Sequence, residues 1–288
     1  MSQSELTSHF HTTATGTRLH YLQCGSSEDR LLVCLHGLGG SSSTYTPLLP
    51  HLQTEPPGFN VVLVDFPGFG QSPLPPASAE LSIHSHVSDI RDLITALSTT
   101  SSKQPVLFGH SLGGIVALHY AASYPDAVAG LALFGPGRSA AHLPSVRQRM
   151  LDLAAAVRSH GITSAADTAA DQSNFPAAST GRTVKPEHRE AVRQAVAASN
   201  PEGYARTCEA IVDLGHVDPD YGTITCPALF VVGDLDVISA PERIQALSPL
   251  LGGDSWVEVV RSGHQPILED TESVAKAVGK LLEKAGGP

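Results

Sequence analysis

Ser111 sits in the pentapeptide Gly109-His110-Ser111-Leu112-Gly113, between an apolar run at 105–108 and a helix-prone run at 115–118. A sharp strand-to-helix turn leaves no room for side chains beside the serine, and Gly109 and Gly113 supply that space. The hydroxyl is then forced outward at the end of a sheet. The first turn of the following helix aims free N–H groups and the positive end of its dipole at the same spot. A nucleophile and part of an anion-stabilising site thus come from one short segment.

A serine hydroxyl is a weak nucleophile at neutral pH and needs a base with a carboxylate behind it. Of the 14 histidines, His264 stands in Arg261-Ser262-Gly263-His264-Gln265-Pro266, on a loop leaving the strand-like run 256–260. The carboxyl end of a strand is where a base belongs in an open α/β sheet, and Gly263 and Pro266 mark irregular backbone. The run 228–233 leads straight into Asp234-Leu235-Asp236, so Asp234 and Asp236 compete for the role of orienting acid. An acid that must reach the histidine needs a little loop behind it, which favours Asp236 and leaves Asp234 to accept backbone N–H groups in the turn. The run Leu31-Leu32-Val33-Cys34-Leu35 ends in His36-Gly37-Leu38-Gly39-Gly40-Ser41, where glycines let backbone approach a ligand. The backbone N–H groups of Leu38 and Leu112 are the expected donors to the oxyanion that forms when a carbonyl is attacked. His36 is expected to bond neighbouring loop backbone, and His110 to pack in the turn.

These pieces must be held by a sheet. An antiparallel pair is expected at 8–13 and 18–24, joined at Thr15-Gly16-Thr17, followed by parallel strands near 31–35, 60–65, 105–109, 128–134, 228–233 and 255–260. Helical patterns fall at 82–98, 112–123, 241–251 and 271–284, the first with Ile83, Val87, Ile90, Leu93, Ile94 and Leu97 on one face. Strands alternating with helices make an α/β fold, a mostly parallel, doubly wound eight-stranded sheet. The alternation lapses between Phe134 and Ile224, where helical patterns at 146–160 and 186–199 occur without strands. The domain organisation expected is therefore a core at 1–137, a helical lid at 138–206 and the rest of the core at 207–288.

Together these segments resemble the alpha/beta-hydrolase family, as does the loop Asp65-Phe66-Pro67-Gly68-Phe69-Gly70-Gln71-Ser72, and the likeness spans nearly the whole chain. The chain order Ser111, Asp236, His264 is that family's serine, acid, histidine order. Asn200-Pro201-Glu202-Gly203-Tyr204 and the residues after it are similar to 3-oxoadipate enol-lactonases and the lactonases and esterases near them. The resemblance implies hydrolysis of a small carboxylic ester or lactone through an acyl-enzyme, with no cofactor and no metal. A lactone with a spectator carboxylate would need a cation in the pocket. Arg138, Arg147, Arg149, Arg158, Arg182, Arg189, Arg193 and Arg206 lie in or beside the lid, where each is expected to be solvated surface. A carbon–carbon bond hydrolase would use the same triad, and a non-catalytic ligand receptor could retain the scaffold without needing a positioned base. Serine at the elbow disfavours epoxide hydrolases and dehalogenases, which use a carboxylate there.

Composition narrows the partners. With 288 residues and 41% hydrophobic content the chain can bury a full core, and a net charge of −10 without Lys/Arg runs disfavours nucleic acid and anionic membranes. No run approaches a membrane span. The 4 cysteines include no C-x-x-C pair, so neither zinc nor dithiol chemistry is suggested. The stretch Met1 to Phe10 has neither a positive leader nor an apolar core, so a cytoplasmic location is expected. A small-molecule ester or lactone is the expected partner, and the pattern leaves monomer and homodimer open.

Overall fold

A computed structural model describes residues 5–52, 58–98 and 103–288; the first four residues of the N-terminal stretch read above lie outside it. Its strands are β1 (Thr7–Thr12), β2 (Arg18–Cys24), β3 (Arg30–Leu35), β4 (Phe59–Val64), β5 (Val106–His110), β6 (Gly130–Phe134), β7 (Ala228–Gly233) and β8 (Ser255–Val260). They form one eight-stranded sheet in the order β1-β2-β4-β3-β5-β6-β7-β8. β1 and β2 run antiparallel to their neighbours, and every other pairing is parallel. The N-terminal hairpin turns at Gly16, whose φ of 86° suits glycine.

The helices are α1 (Ile83–Leu97), α2 (Leu112–Ser123), α3 (Pro144–His160), α4 (Thr163–Thr168), α5 (Pro186–Ala197), α6 (Pro201–Ile211), α7 (Pro241–Leu247), α8 (Pro266–Glu269) and α9 (Thr271–Lys284). β4 to β7 are buried along their whole length, as strands covered on both faces must be. Their alternate residues sort into two cores. Leu31, Val33, Val62, Leu107, Leu131 and Phe230 face α1, α2 and α7. Leu32, Cys34, Val61, Phe108, Phe134 and Leu229 face α9 and a 3₁₀ segment at Ser42–His51. The alternation has period two because successive side chains on a strand point to opposite faces. Cys24, Cys34, Cys208 and Cys226 are all buried free thiols.

β3 is flanked by β4 on one side and β5 on the other, so the winding reverses there. The crevice outside the carboxyl ends of strands at such a switch point is where open α/β sheets bind ligands. The loop after β3 and the turn after β5 meet in it.

Between β6 and β7 the chain forms α3 to α6 without adding a strand. Elements that sequence patterning did not separate are the 3₁₀ segment at 42–51, which contains Pro47 and Pro50, the alanine-rich α4 with the π-type turn that follows it, and the one-turn α8. The expected strand 128–134 is shorter, starting at Gly130, and the expected helix 241–251 ends at Leu247 in a 3₁₀ turn.

Candidate active site

Ser111 has φ 50° and ψ −109°, and among the described residues it is the one non-glycine with positive φ. Such backbone costs on the order of 1–3 kcal/mol and persists only where surroundings over-determine it. Here Ser111 N–H donates to Phe134 O at 3.0 Å, and its carbonyl accepts Gly114 N–H at 3.0 Å and Ile115 N–H at 3.1 Å. A Cβ on Gly113 would collide with Leu35 O, and one on Gly109 with Gly113 O. The glycines are therefore required by backbone packed on backbone, as the pentapeptide suggested. Gly113 N–H also donates to His36 O at 3.0 Å, tying the serine turn to the turn after β3.

His264 donates from Nδ1 to Asp236 Oδ2 at 2.8 Å, with both side chains buried. The other carboxylate oxygen of Asp236 accepts Ile238 N–H and Ser239 N–H, each at 2.8 Å. Burial alone would raise this carboxyl's pKa, but His264 and the backbone donors outweigh it and hold Asp236 below the usual carboxylate range. An ionised acceptor at Nδ1 fixes the tautomer and leaves Nε2 as the lone-pair nitrogen. Gly135 joins the parts. It follows Phe134, whose carbonyl holds Ser111, and a Cβ there would stand 3.0 Å from Asp236 Oδ2 and 3.2 Å from His264 Nδ1. The ring of His110, next to the serine, lies 5.1 Å from that of His264. No direct hydrogen bond joins Ser111 Oγ to His264 among the described residues. Catalytic hydrogen bonds are often long in free enzymes and tighten with substrate.

Leu38 and Leu112 follow β3 and β5 at the same mouth, and neither backbone N–H has a protein acceptor among the described residues. Asp65 braces this turn: it accepts His20 Nδ1–H at 2.7 Å, Gln71 N–H at 2.9 Å and Ser42 N–H at 2.5 Å. A Cβ on Gly70 would run into that carboxylate, which explains the glycine of the 65–72 loop. His36 accepts Phe66 N–H at Nε2 and donates from Nδ1 to Gly37 O, so it serves loop backbone as expected. Burial lowers its pKa and keeps it neutral. His110 donates to His264 O at 2.8 Å, and burial together with the neighbouring His264 pushes its pKa down to about 3. It is a packed turn residue.

Asp234 accepts Ser262 N–H at 3.1 Å, the turn role expected of it, and is also gripped by Arg182 at 3.1 and 2.7 Å. Other arginines beside the site are similarly engaged. Arg138 pairs with Asp218, Arg158 with Glu202 and Glu209, and Arg193 with Asp167, Asp171 and Glu190. Arg206 and Arg189 donate to backbone carbonyls. A cavity of about 220 Å³ abuts the site, its wall including Leu38, His110, Asn174, Val192, Val196 and Gln265. The wall carries no Asp, Glu, Lys or Arg, and Ser111 and His264 are not part of it although their neighbours are.

The Asn-Pro-Glu-Gly-Tyr motif has a packing cause. Gly203 of α6 touches Gly68, a Cβ on either standing 2.9 Å from the other's Cα, and Asn200 N–H donates to Gly68 O at 2.9 Å. Asn200 also caps α6 by accepting Gly203 N–H. Pattern reasoning missed Gly135, Asn174 and Glu269. Asn174 O accepts His264 N–H at 2.8 Å and Glu269 accepts Gly263 N–H at 2.8 Å, contacts with no local signature.

Among the described residues no group of three or more His, Cys, Asp or Glu could hold a metal ion, and no helix is long and apolar enough to cross a membrane. The chain is 36% identical over 109 residues to a serine hydrolase-like protein of Danio rerio, covering 38% of this chain but only 32% of that relative. A thermophilic esterase structure from Thermogutta terrifontis superposes with a TM-score of 0.83 at 27% identity, over 97% of this chain and 99% of the other. The enol-lactonase from Burkholderia xenovorans LB400 matches with a TM-score of 0.80 at 24% identity, over 96% and 100%; at that identity the likeness speaks for the fold. The family model for the alpha/beta hydrolase fold matches residues 30–271. With sheet order, serine turn and family match in agreement, the chain belongs to the alpha/beta hydrolase fold family.

Proposed function

We propose that this chain is a serine hydrolase of small, uncharged carboxylic esters or lactones. The observation that carries this is the buried Asp236–His264 hydrogen bond, linked through Gly135 and the His110–His264 contact to a serine held at positive φ. In this mechanism His264 Nε2 takes the proton of Ser111 Oγ as that oxygen attacks the carbonyl carbon. Asp236 stabilises the imidazolium without itself taking the proton. Leu38 and Leu112 N–H groups receive the oxyanion, each such donor contributing about 3 kcal/mol to lowering the barrier. The imidazolium then protonates the leaving oxygen as the carbon–oxygen bond breaks. Water, deprotonated by His264, attacks the acyl-enzyme, and Ser111 recovers its proton as the acid product leaves. In a lactone the leaving alcohol stays tethered to the acyl group.

The uncharged wall of the cavity supports a neutral substrate, because burying a carboxylate without a partner costs several kcal/mol. Residues 138–206 form the lid in this reading, between core segments 1–137 and 207–288. The decisive experiment is turnover of p-nitrophenyl butyrate by the protein and by Ser111→Ala. We expect a loss of at least about 10³-fold in the folded variant. Retention of full activity, or failure of the unmodified protein to react with a fluorophosphonate, would refute the assignment.

A further inference from the structure

The loop that carries His264 has its backbone donors assigned one by one. Ser262 N–H is shared between Asp234 and Val260 O, Gly263 N–H goes to Glu269 Oε1 at 2.8 Å, and His264 N–H goes to Asn174 O. The loop has nowhere else to go: a Cβ on Gly263 would stand 2.7 Å from Asn174 O and 2.8 Å from Pro176 Cδ. Glu269, the last residue of α8, is half-buried and takes no direct salt bridge among the described residues. The groups facing it are Arg182 and Arg189 from the 138–206 interval and the Gly263 and Gln265 N–H groups. Neighbouring Asp270 is turned to Arg261 N–H. Arg182 spends its fork on Asp234 and Arg189 bonds Ala170 O, so the Glu269 charge is answered chiefly by peptide donors.

From this arrangement we propose that Glu269 is a positioning residue for His264, its ionised carboxylate holding the loop N–H groups on either side of that residue, at Gly263 and Gln265. This rests on the serine-hydrolase reading above. A charged acceptor makes a hydrogen bond roughly twice as strong as a neutral one, so protonation of Glu269 loosens the loop. Burial raises its pKa to about 7, partly offset by the Gly263 and Gln265 donors and the two arginines. The carboxylate thus changes charge in the range where a histidine base works. Ionisation of Glu269 therefore adds to the acid side of the activity a step beyond that of any general base.

The test is a pH profile from pH 5 to pH 9 with p-nitrophenyl butyrate, Ser111→Ala serving as the blank. For the unmodified protein two acid-side ionisations are expected. Glu269→Gln mimics the protonated state at every pH. It should lower the kcat plateau by about 5- to 10-fold, leave KM within about twofold, and retain a single acid-side ionisation. Glu269→Asp, which keeps the charge, should retain both ionisations on a lowered plateau and covers the case in which the glutamine variant does not fold. A glutamine variant with both ionisations, or with a plateau within about twofold of the unmodified protein, overturns the role of Glu269 alone. So does an aspartate variant with only one ionisation. No turnover by the unmodified protein above the blank overturns the hydrolase reading and this role with it.

Discussion

The strand ends and the helical interval between β6 and β7 are built by different means. At the strand ends glycines admit close approach, backbone on backbone at Gly113 against Leu35 and Gly109 against Gly113, and backbone on side chains at Gly135 against the Asp236–His264 pair. The strands beneath them are fully buried, so the turns inherit a rigid base. In the interval, α3 and α5 bury only Ala154 and Val157, and Val192 and Val196. There much of the visible pairing is charged, through Arg158, Arg182 and Arg193. Exposed ion pairs contribute about 0–1 kcal/mol each, against several for a filled core position. The proposed reactive groups therefore stand on the part with the denser backbone packing, and the interval above them rests more on ion pairs.

Variants can break this contrast or sharpen it. The largest effect is expected from Asp236→Asn, which removes the charge that fixes the His264 tautomer; kcat should fall about 10⁴-fold with the thermal midpoint little changed. A loss under about tenfold would mean the strand-end loops do not set the chemistry. Gly113→Ala drives a methyl into Leu35 O and should cost about 3 kcal/mol or more by urea unfolding, as overpacking against backbone cannot relax. An alanine tolerated there would place the rigidity elsewhere.

Acid should weaken the core first. Burial holds His86 near 4 and His110 near 3 and lowers His36, while the unfolded chain takes up these protons near pH 6.5. A base whose folded pKa is depressed stabilises above its unfolded value and loses that contribution as pH falls, at up to about 1.4 kcal/mol per pH unit for each proton. Glu269 runs the other way, its raised pKa giving stability that is lost as pH rises through about 7. Histidines dominate the sum, so unfolding free energy should drop by about 3 kcal/mol between pH 7 and pH 5. A flat profile would show that the buried rings are protonated in the fold. Arg182→Ala is the smallest change: stability should stay within about 1 kcal/mol, the pair being partly exposed, while KM shifts by about 2- to 5-fold.

What the sequence discloses follows the same division. The strands fell within about two residues of their positions because continuous apolar runs between turn signals admit few alternatives. Ser111, Asp236 and His264 could be nominated because each stands within four residues of the carboxyl end of a strand, so local pattern and chain order suffice to pick them out. The 3₁₀ segment at 42–51 was hidden by Pro47 and Pro50, and α4 by alanines that suit any context. Glu269 and Asn174 carried no signal at all, for their partners are loop peptides; the Gln265–Asn174 contact joins residues 91 apart. The engagement of Arg182 by Asp234 was equally unreadable, because periodicity says which face of a helix is polar and not what it meets.

The touching backbones of Gly68 and Gly203 have a consequence for engineering. With no side chain on either side of the seam, the chain re-enters the scaffold at a fixed point just after Asn200. A foreign segment between Phe134 and that point would have to keep both glycine hydrogens of the seam, and with them Gly135 and the Asn174 carbonyl that takes His264 N–H. Any methyl introduced at the seam would pry the graft away from the loop after β4.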